Sequence, residues 1–234
     1  MRQIVLDTET TGLSTGQGHR IIEIGAIELV NRRLTGREFH RFLNPERDID
    51  EGAERVHGIS RKDLETAPRF REVADELLEF ISDAELVIHN AEFDVGFLDY
   101  ELGLMKHPRP AITDHARVLD TLSLARELHP GQRNSLDALC KRYEVDASNR
   151  DLHGALIDAD LLARVYLAMT GGQAALLLDE SEADGDEREA GMAFRASRPE
   201  LELVVVRASA AENAAHEAML EKLREAGECV WDRL

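Results

Sequence analysis

Asp7 and Glu9 are two acids separated by a single residue, at the end of an apolar run, Ile4-Val5-Leu6. In an extended chain the period of two puts both carboxylates on one face, where like charges repel unless water or a cation stands between them. A bare D-x-E at a strand end is more often solvated than metal-bound, so this pair needs company. Asp94 brings a third carboxylate. It closes His89-Asn90-Ala91-Glu92-Phe93-Asp94, which follows the apolar run 86–88 and opens a helix expected over 95–104. A carboxylate there has a second explanation, because the start of a helix favours negative charge. The third cluster is His153-Gly154-Ala155-Leu156-Ile157-Asp158. Five residues at about 100° each set His153 and Asp158 roughly 140° apart on a helix, so the two meet only if His153 lies in the loop that enters it. Taken alone, this cluster is better described as a loop histidine and a solvent-facing acid.

The elements that must position these residues can be read from hydrophobic period. Residues 2–9 read as a short buried strand, 21–30 as a second strand and 38–43 as a third, with a turn over 31–36, so three successive antiparallel strands are expected. The period then becomes helical. Phe70, Val73, Leu77, Leu78 and Ile81 follow Pro68 at helix spacing, residues 86–88 form a short strand, and Val118 and Leu119 mark another. A helix capped by Ser135 is expected over 135–143, and a long one over 154–169, ended by Gly171 and Gly172. Strands first, then alternating helices and strands, imply an α/β fold with a mixed sheet flanked by helices.

Composition sets the wider frame. A chain of 234 residues can bury one good-sized core and has little room for a second. No basic start leads into an apolar run, and no stretch of about 18 apolar residues occurs, so a cytoplasmic protein without a membrane span is expected. Cys140 and Cys229 form no metal-ligand pair and read as reduced thiols. The formal net charge of −18 argues against tight autonomous binding to a phosphate backbone. Nucleic-acid chemistry is then confined to a local site in which cations bridge acids to a phosphate, or to a complex whose partner holds the DNA. Beyond Gly172 the acidic stretch 179–189 reads as a flexible linker. Apolar order returns at 201–206, in an Ala-rich helical run over 210–226, and at Cys229, Val230 and Trp231. Three segments follow: a domain over 1–172, a linker over 173–198, and a small docking segment over 199–234.

Together the three clusters resemble the DEDD exonuclease superfamily, in its variant with a histidine in the third motif. The strings Leu6-Asp7-Thr8-Glu9-Thr10-Thr11-Gly12, Ile21-Ile22-Glu23-Ile24-Gly25-Ala26, Val56-His57-Gly58-Ile59, Asn134-Ser135-Leu136-Asp137-Ala138-Leu139-Cys140 and Tyr166-Leu167-Ala168-Met169-Thr170-Gly171-Gly172 are similar to its proofreading branch in bacterial replication. The similarity is strong through Gly172 and fainter beyond.

The resemblance implies a ribonuclease H-like fold with four carboxylates converging at one end of the sheet. Four acids crowded together stay ionised only with cations, so two divalent ions, Mg²⁺ or Mn²⁺, are expected on Asp7, Glu9, Asp94 and Asp158, with Asp7 bridging both. The implied chemistry is two-metal hydrolysis of a phosphodiester at a DNA 3′ end, giving 5′-mononucleotides. His153 is the implied general base, so activity should fall as pH drops through the ordinary histidine range, about 6.5. Asp7, Thr8, Glu9, His57 and Asp158 are implied to touch substrate, His57 by packing on the terminal nucleotide and Thr8 through its backbone at the sugar. Relatives carry a substrate-contacting Glu five residues before that histidine; this chain has Gly52 there, beside Glu51, so that contact does not carry over. The implied partners are the alpha subunit of the polymerase through 199–234, the sliding clamp through Gln173, Leu176 and Leu178, and a small theta-like subunit. Two alternatives remain open: a free-standing RNA-processing or repair exonuclease, and a scaffold without catalysis, against which the presence of all five catalytic positions speaks.

Overall fold

In the computed structural model, residues 1–148, 153–171 and 208–226 are described. The apolar run at the N-terminus forms β1 (Arg2–Thr10), which pairs antiparallel with β2 (Ile21–Val30), and β2 pairs antiparallel with β3 (Arg33–Phe42). The β2–β3 turn is only two residues long. Asn31 and Arg32 both take positive φ, 48° and 63°, the left-handed geometry that matches the twist of a tight hairpin. β3 therefore starts at Arg33, earlier than the expected 38, and Gly36 at φ 82° lies within the strand, opposite the register shift between Ile27 and Leu29. The first six residues of β3 are exposed, so no burial alternation marked them as strand.

β4 (Glu85–Ile88) lies parallel to β1, and β5 (Arg117–Asp120) parallel to β4, giving the order β3-β2-β1-β4-β5. The expected mixed sheet is present. Alternation along β1 divides the core. Ile4 and Leu6 join Ile24, Leu86 and Ile88 on one face, under α2 (Phe70–Ile81) and α3 (Ala91–Leu104). Val5, Leu29 and Val87 lie on the other, under α5 (Leu136–Arg142) and α6 (Ala155–Gly171). In α2, Phe70, Val73, Ala74, Leu77 and Ile81 are buried at helix spacing. α5 has its expected cap, the Ser135 hydroxyl accepting from Ala138 N. Helix α3 begins four residues before the expected 95, because Asn90 takes a left-handed φ of 65° and turns the chain directly from strand to helix.

Two short helices, α1 (Glu51–His57) and α4 (Thr121–Leu128), escaped the sequence reading because each is at most eight residues long and buries few of them. The chain divides into two compact units, Met1–Ser181 and Glu182–Leu234. In the second, α7 (Ala210–Ala226) spans the expected Ala-rich run and opens on a capping box between Ser209 and Glu212. The clamp-type peptide with Gln173, Leu176 and Leu178, the acidic stretch, the run 201–206 and Cys229, Val230 and Trp231 lie outside the described residues. Among the described residues, no helix is long and apolar enough to cross a membrane.

Candidate active site

β1 pairs with β4 as far as Val5 opposite Val87, whereas its pairing with β2 continues to Thr10. The strand thus runs on past its parallel neighbour, at the carboxyl end where open α/β sheets expose their crevices. Asp7 and Glu9 are half-buried there, and Thr8 and Thr10 between and after them are buried. By alternation Asp7 and Glu9 belong to the face of Val5, the α6 side, and Thr8 to the face of Leu6, the α3 side. The site is therefore assembled from both layers.

From the α3 side comes Asp94, 3% exposed. It is the fourth residue of its helix, and its carboxylate accepts from Thr8 N at 3.1 Å and from Thr8 Oγ1 at 2.6 Å, tying α3 to the strand between Asp7 and Glu9. Burial pushes the Asp94 carboxyl up to about 7, against the two Thr8 hydrogen bonds that favour its charged form. The turn that delivers α3 is held by Asp120, whose Oδ1 accepts from Asn90 N at 3.0 Å and Ala91 N at 3.4 Å. Asp120 also caps α4, through Leu122 N at 3.0 Å and Ser123 Oγ at 2.7 Å. Sequence reasoning missed this residue, although an acid closing the apolar pair Val118-Leu119 carried an N-cap signal.

From the α6 side come His153 and Asp158. His153 precedes the helix, the position from which it can meet Asp158, and its backbone N donates to Val56 O at 3.2 Å. Its Nδ1–H donates to Asp158 Oδ2 at 3.1 Å; a carboxylate only accepts, which assigns the tautomer. Glu9, His153 and Asp158 offer ligand atoms that all lie within 4.8 Å of one another. Asp7 lies two residues before Glu9 on the same strand face, and Asp94 reaches the strand through Thr8. Carboxylate oxygens in this number suit a hard divalent cation, and the buried Asp94 is an acid whose charged form such a cation would stabilise. The residues present fit that group.

His57 ends α1, before the left-handed Gly58 at φ 73°. It is 4% exposed, and its Nδ1 accepts from Ile59 N at 3.0 Å. Burial holds its pKa below the ordinary histidine value, the Thr10 carbonyl opposes, and nearby His153 adds to the lowering. The Val56 bond to His153 links this helix to the site. Thr8 N is committed to Asp94. Gly52 sits on an exposed stretch of α1, and no neighbour among the described residues comes within 4 Å of where a Cβ would project.

A central strand ending in carboxylates, met by acids from helices on both faces, suits metal-dependent chemistry on a phosphodiester, the work of a nuclease. The exonuclease family (RNase_T) matches residues 4–166. DNA polymerase III subunit epsilon of Salmonella typhimurium is 52% identical over 236 residues, covering 98% of this chain and 97% of that protein. The same subunit of Rickettsia felis is 56% identical over 173 residues, 74% of this chain and 76% of that one. The chain belongs to the exonuclease family, in its DNA polymerase III subunit epsilon branch. Among solved structures, exonuclease X in complex with 5′ overhanging duplex DNA shares the fold, with a TM-score of 0.56 at 24% identity over 76% of this chain and 98% of that one. The family is divalent-metal dependent.

Proposed function

We propose that this chain is a proofreading 3′→5′ exonuclease subunit of a DNA polymerase III, removing mispaired 3′-terminal nucleotides as 5′-mononucleotides. The observation that supports it most is the close group of Glu9, His153 and Asp158 at the end of β1, in a chain related over nearly its full length to subunit epsilon. Asp7, Glu9, Asp94 and Asp158 would hold two divalent ions, Mg²⁺ or Mn²⁺, which when bound supply charge neutralisation at the phosphate and a more acidic water. His153 donates Nδ1–H to Asp158, so Nε2 is the ring nitrogen that takes the proton of the attacking water. His57 packs against the terminal nucleotide. Because Thr8 N is occupied by Asp94, the Thr8 carbonyl is the backbone group left for the sugar.

Discrimination then needs no reading of sequence. A mispaired terminus leaves the duplex at lower cost than a paired one, and a site that accepts a single strand favours it. The net charge of −18 fits a nuclease whose partner grips the duplex. In this reading residues 199–234 bind the polymerase alpha subunit, Gln173, Leu176 and Leu178 bind the sliding clamp, and a small theta-like subunit completes the complex. The test is hydrolysis of a 3′-labelled primer, matched or mismatched at its end, with Mg²⁺ or EDTA, by the intact protein and by Asp7→Ala. Mononucleotide release that is faster from the mismatch, lost in EDTA and lost in the variant is expected. No release by the intact protein, with polymerase added, overturns the reading.

A further inference from the structure

Helix α6 carries Asp158 and is entered from His153, so its seat on the sheet decides where both stand relative to Glu9. Two residues of β2 hold the first turn of the helix. Glu23, 4% exposed, pairs across the strands with Glu9, and its Oε2 accepts from Ala155 N at 3.2 Å. Ala155 is the first residue of α6, one of the helical amides that no intrahelical carbonyl can satisfy. The other oxygen, Oε1, lies 2.7 Å from His40 Nε2 on β3, which fixes the carboxylate's orientation. Gly25, two residues on, pairs with Asp7. A Cβ built on it would stand 2.2 Å from Leu156 N and 2.3 Å from the Ala155 carbonyl carbon, so the helix backbone rests directly on this glycine. Those atoms are main chain and cannot rotate aside; a methyl there must lift the helix.

We propose that Glu23 and Gly25 are positioning residues for hydrolysis: one anchors the first turn of α6 by a hydrogen bond, the other admits its backbone to contact with β2. They set the separation between the strand acids, Asp7 and Glu9, and the helix pair, His153 and Asp158. The proposal rests on the nuclease reading above. Displacements of about 1 Å at a reacting centre cost on the order of 10²-fold in rate, so a small shift of α6 is felt in kcat. The loss is expected in kcat more than in KM, because what shifts is the geometry at the reacting centre.

The test uses the intact protein with Glu23→Ala, Glu23→Gln and Gly25→Ala, and Glu28→Ala as a control for buried-acid loss at the far end of the same strand. Measured are kcat and KM on single-stranded DNA with Mg²⁺, Mn²⁺ binding without DNA from the electron paramagnetic resonance signal of free Mn²⁺, and Tm. Glu23→Ala and Gly25→Ala should lower kcat by at least about tenfold and weaken Mn²⁺ binding several-fold, with KM within about twofold. Glu23→Gln keeps an oxygen for Ala155 N and should retain most of both. Glu28→Ala should lower Tm alone. The proposal is overturned if Glu23→Ala and Gly25→Ala match the wild type in kcat and Mn²⁺ binding, or if Glu23→Gln is as damaging as Glu23→Ala. Gly25→Ala leaves every charge in place, so it decides the matter if Glu23→Ala does not fold. Absence of cleavage by the wild type would sink the nuclease reading instead, while the Mn²⁺ comparison still tests the seat.

Discussion

At the scale of single residues, the chemistry depends on where protons and charges are held. His153 stands beside Asp158, outside the helix, with its Nδ1 proton engaged. On the proposed reading its replacement by Ala removes the general base while leaving the acids in place, so kcat should fall by about 10²–10⁴-fold with KM little changed, measured by single-turnover hydrolysis. Asp94 offers a test through pH. Its folded pKa is raised from 3.8 to about 7, so the folded protein binds a proton there more tightly than the unfolded chain does. The stability this contributes is fully present below about pH 4 and is lost as pH rises through about 7. In metal-free buffer, the Tm of Asp94→Asn relative to wild type should therefore rise between pH 5 and 8, in scans taken at about unit intervals. Mg²⁺ should stabilise the wild type more at the upper end of that range than at the lower, and the variant much less at either.

At the scale of elements, the β4–α3 turn is the most exposed to single changes, because one carboxylate serves two helices. Asp120 holds the Asn90 and Ala91 amides at the entry to α3 and caps α4 through Leu122 N. Asp120→Ala leaves these donors to water. A loss of about 1–2 kcal/mol is expected from the cap, read from urea unfolding, together with lower kcat because Asp94 rides on α3. Asp120→Asn, which keeps one acceptor, should lose less of both. The second structural control point is the contact of α6 with β2 described above. Both devices are short polar or steric links at the ends of helices, where main-chain groups lack helical partners.

At the scale of the whole molecule, the candidate site and α7 belong to different compact units of the chain. Asp7, Glu9, Asp94, His153 and Asp158 all fall within the unit Met1–Ser181, and α7 within the unit Glu182–Leu234. A fragment of residues 1–172 should cleave single-stranded DNA with the kcat of the intact chain, yet fail to co-elute with the polymerase alpha subunit in gel filtration. Loss of cleavage in a folded fragment would show that the second unit takes part in the chemistry. The strongly acidic balance makes a further expectation: cleavage of free DNA by the isolated chain should weaken steeply in KM as salt is lowered below the screening range, where its own charge repels the strand.

Much of this was legible along the chain. The strands 2–9 and 21–30, helix 70–81 and the Ser135 cap follow from period and capping chemistry, which are local properties. The placement of Asp7 and Glu9 on one face follows from strand geometry alone, and helix geometry sets the condition that His153 meets Asp158 only from before α6, where it lies. Other features were hidden because they depend on partners far away in sequence. The early start of α3 turns on one left-handed Asn90 and on Asp120, and the length of β3 on pairing at an exposed edge. Glu23 and Gly25 looked like ordinary strand residues, and only the packing of α6, more than a hundred residues later, gave them a task. Residue types and spacing by themselves determined which groups could carry the chemistry; the tertiary structure decided which of them meet and what holds them there, because register across strands and the seating of a helix on a sheet are set by contacts between segments that local period does not encode.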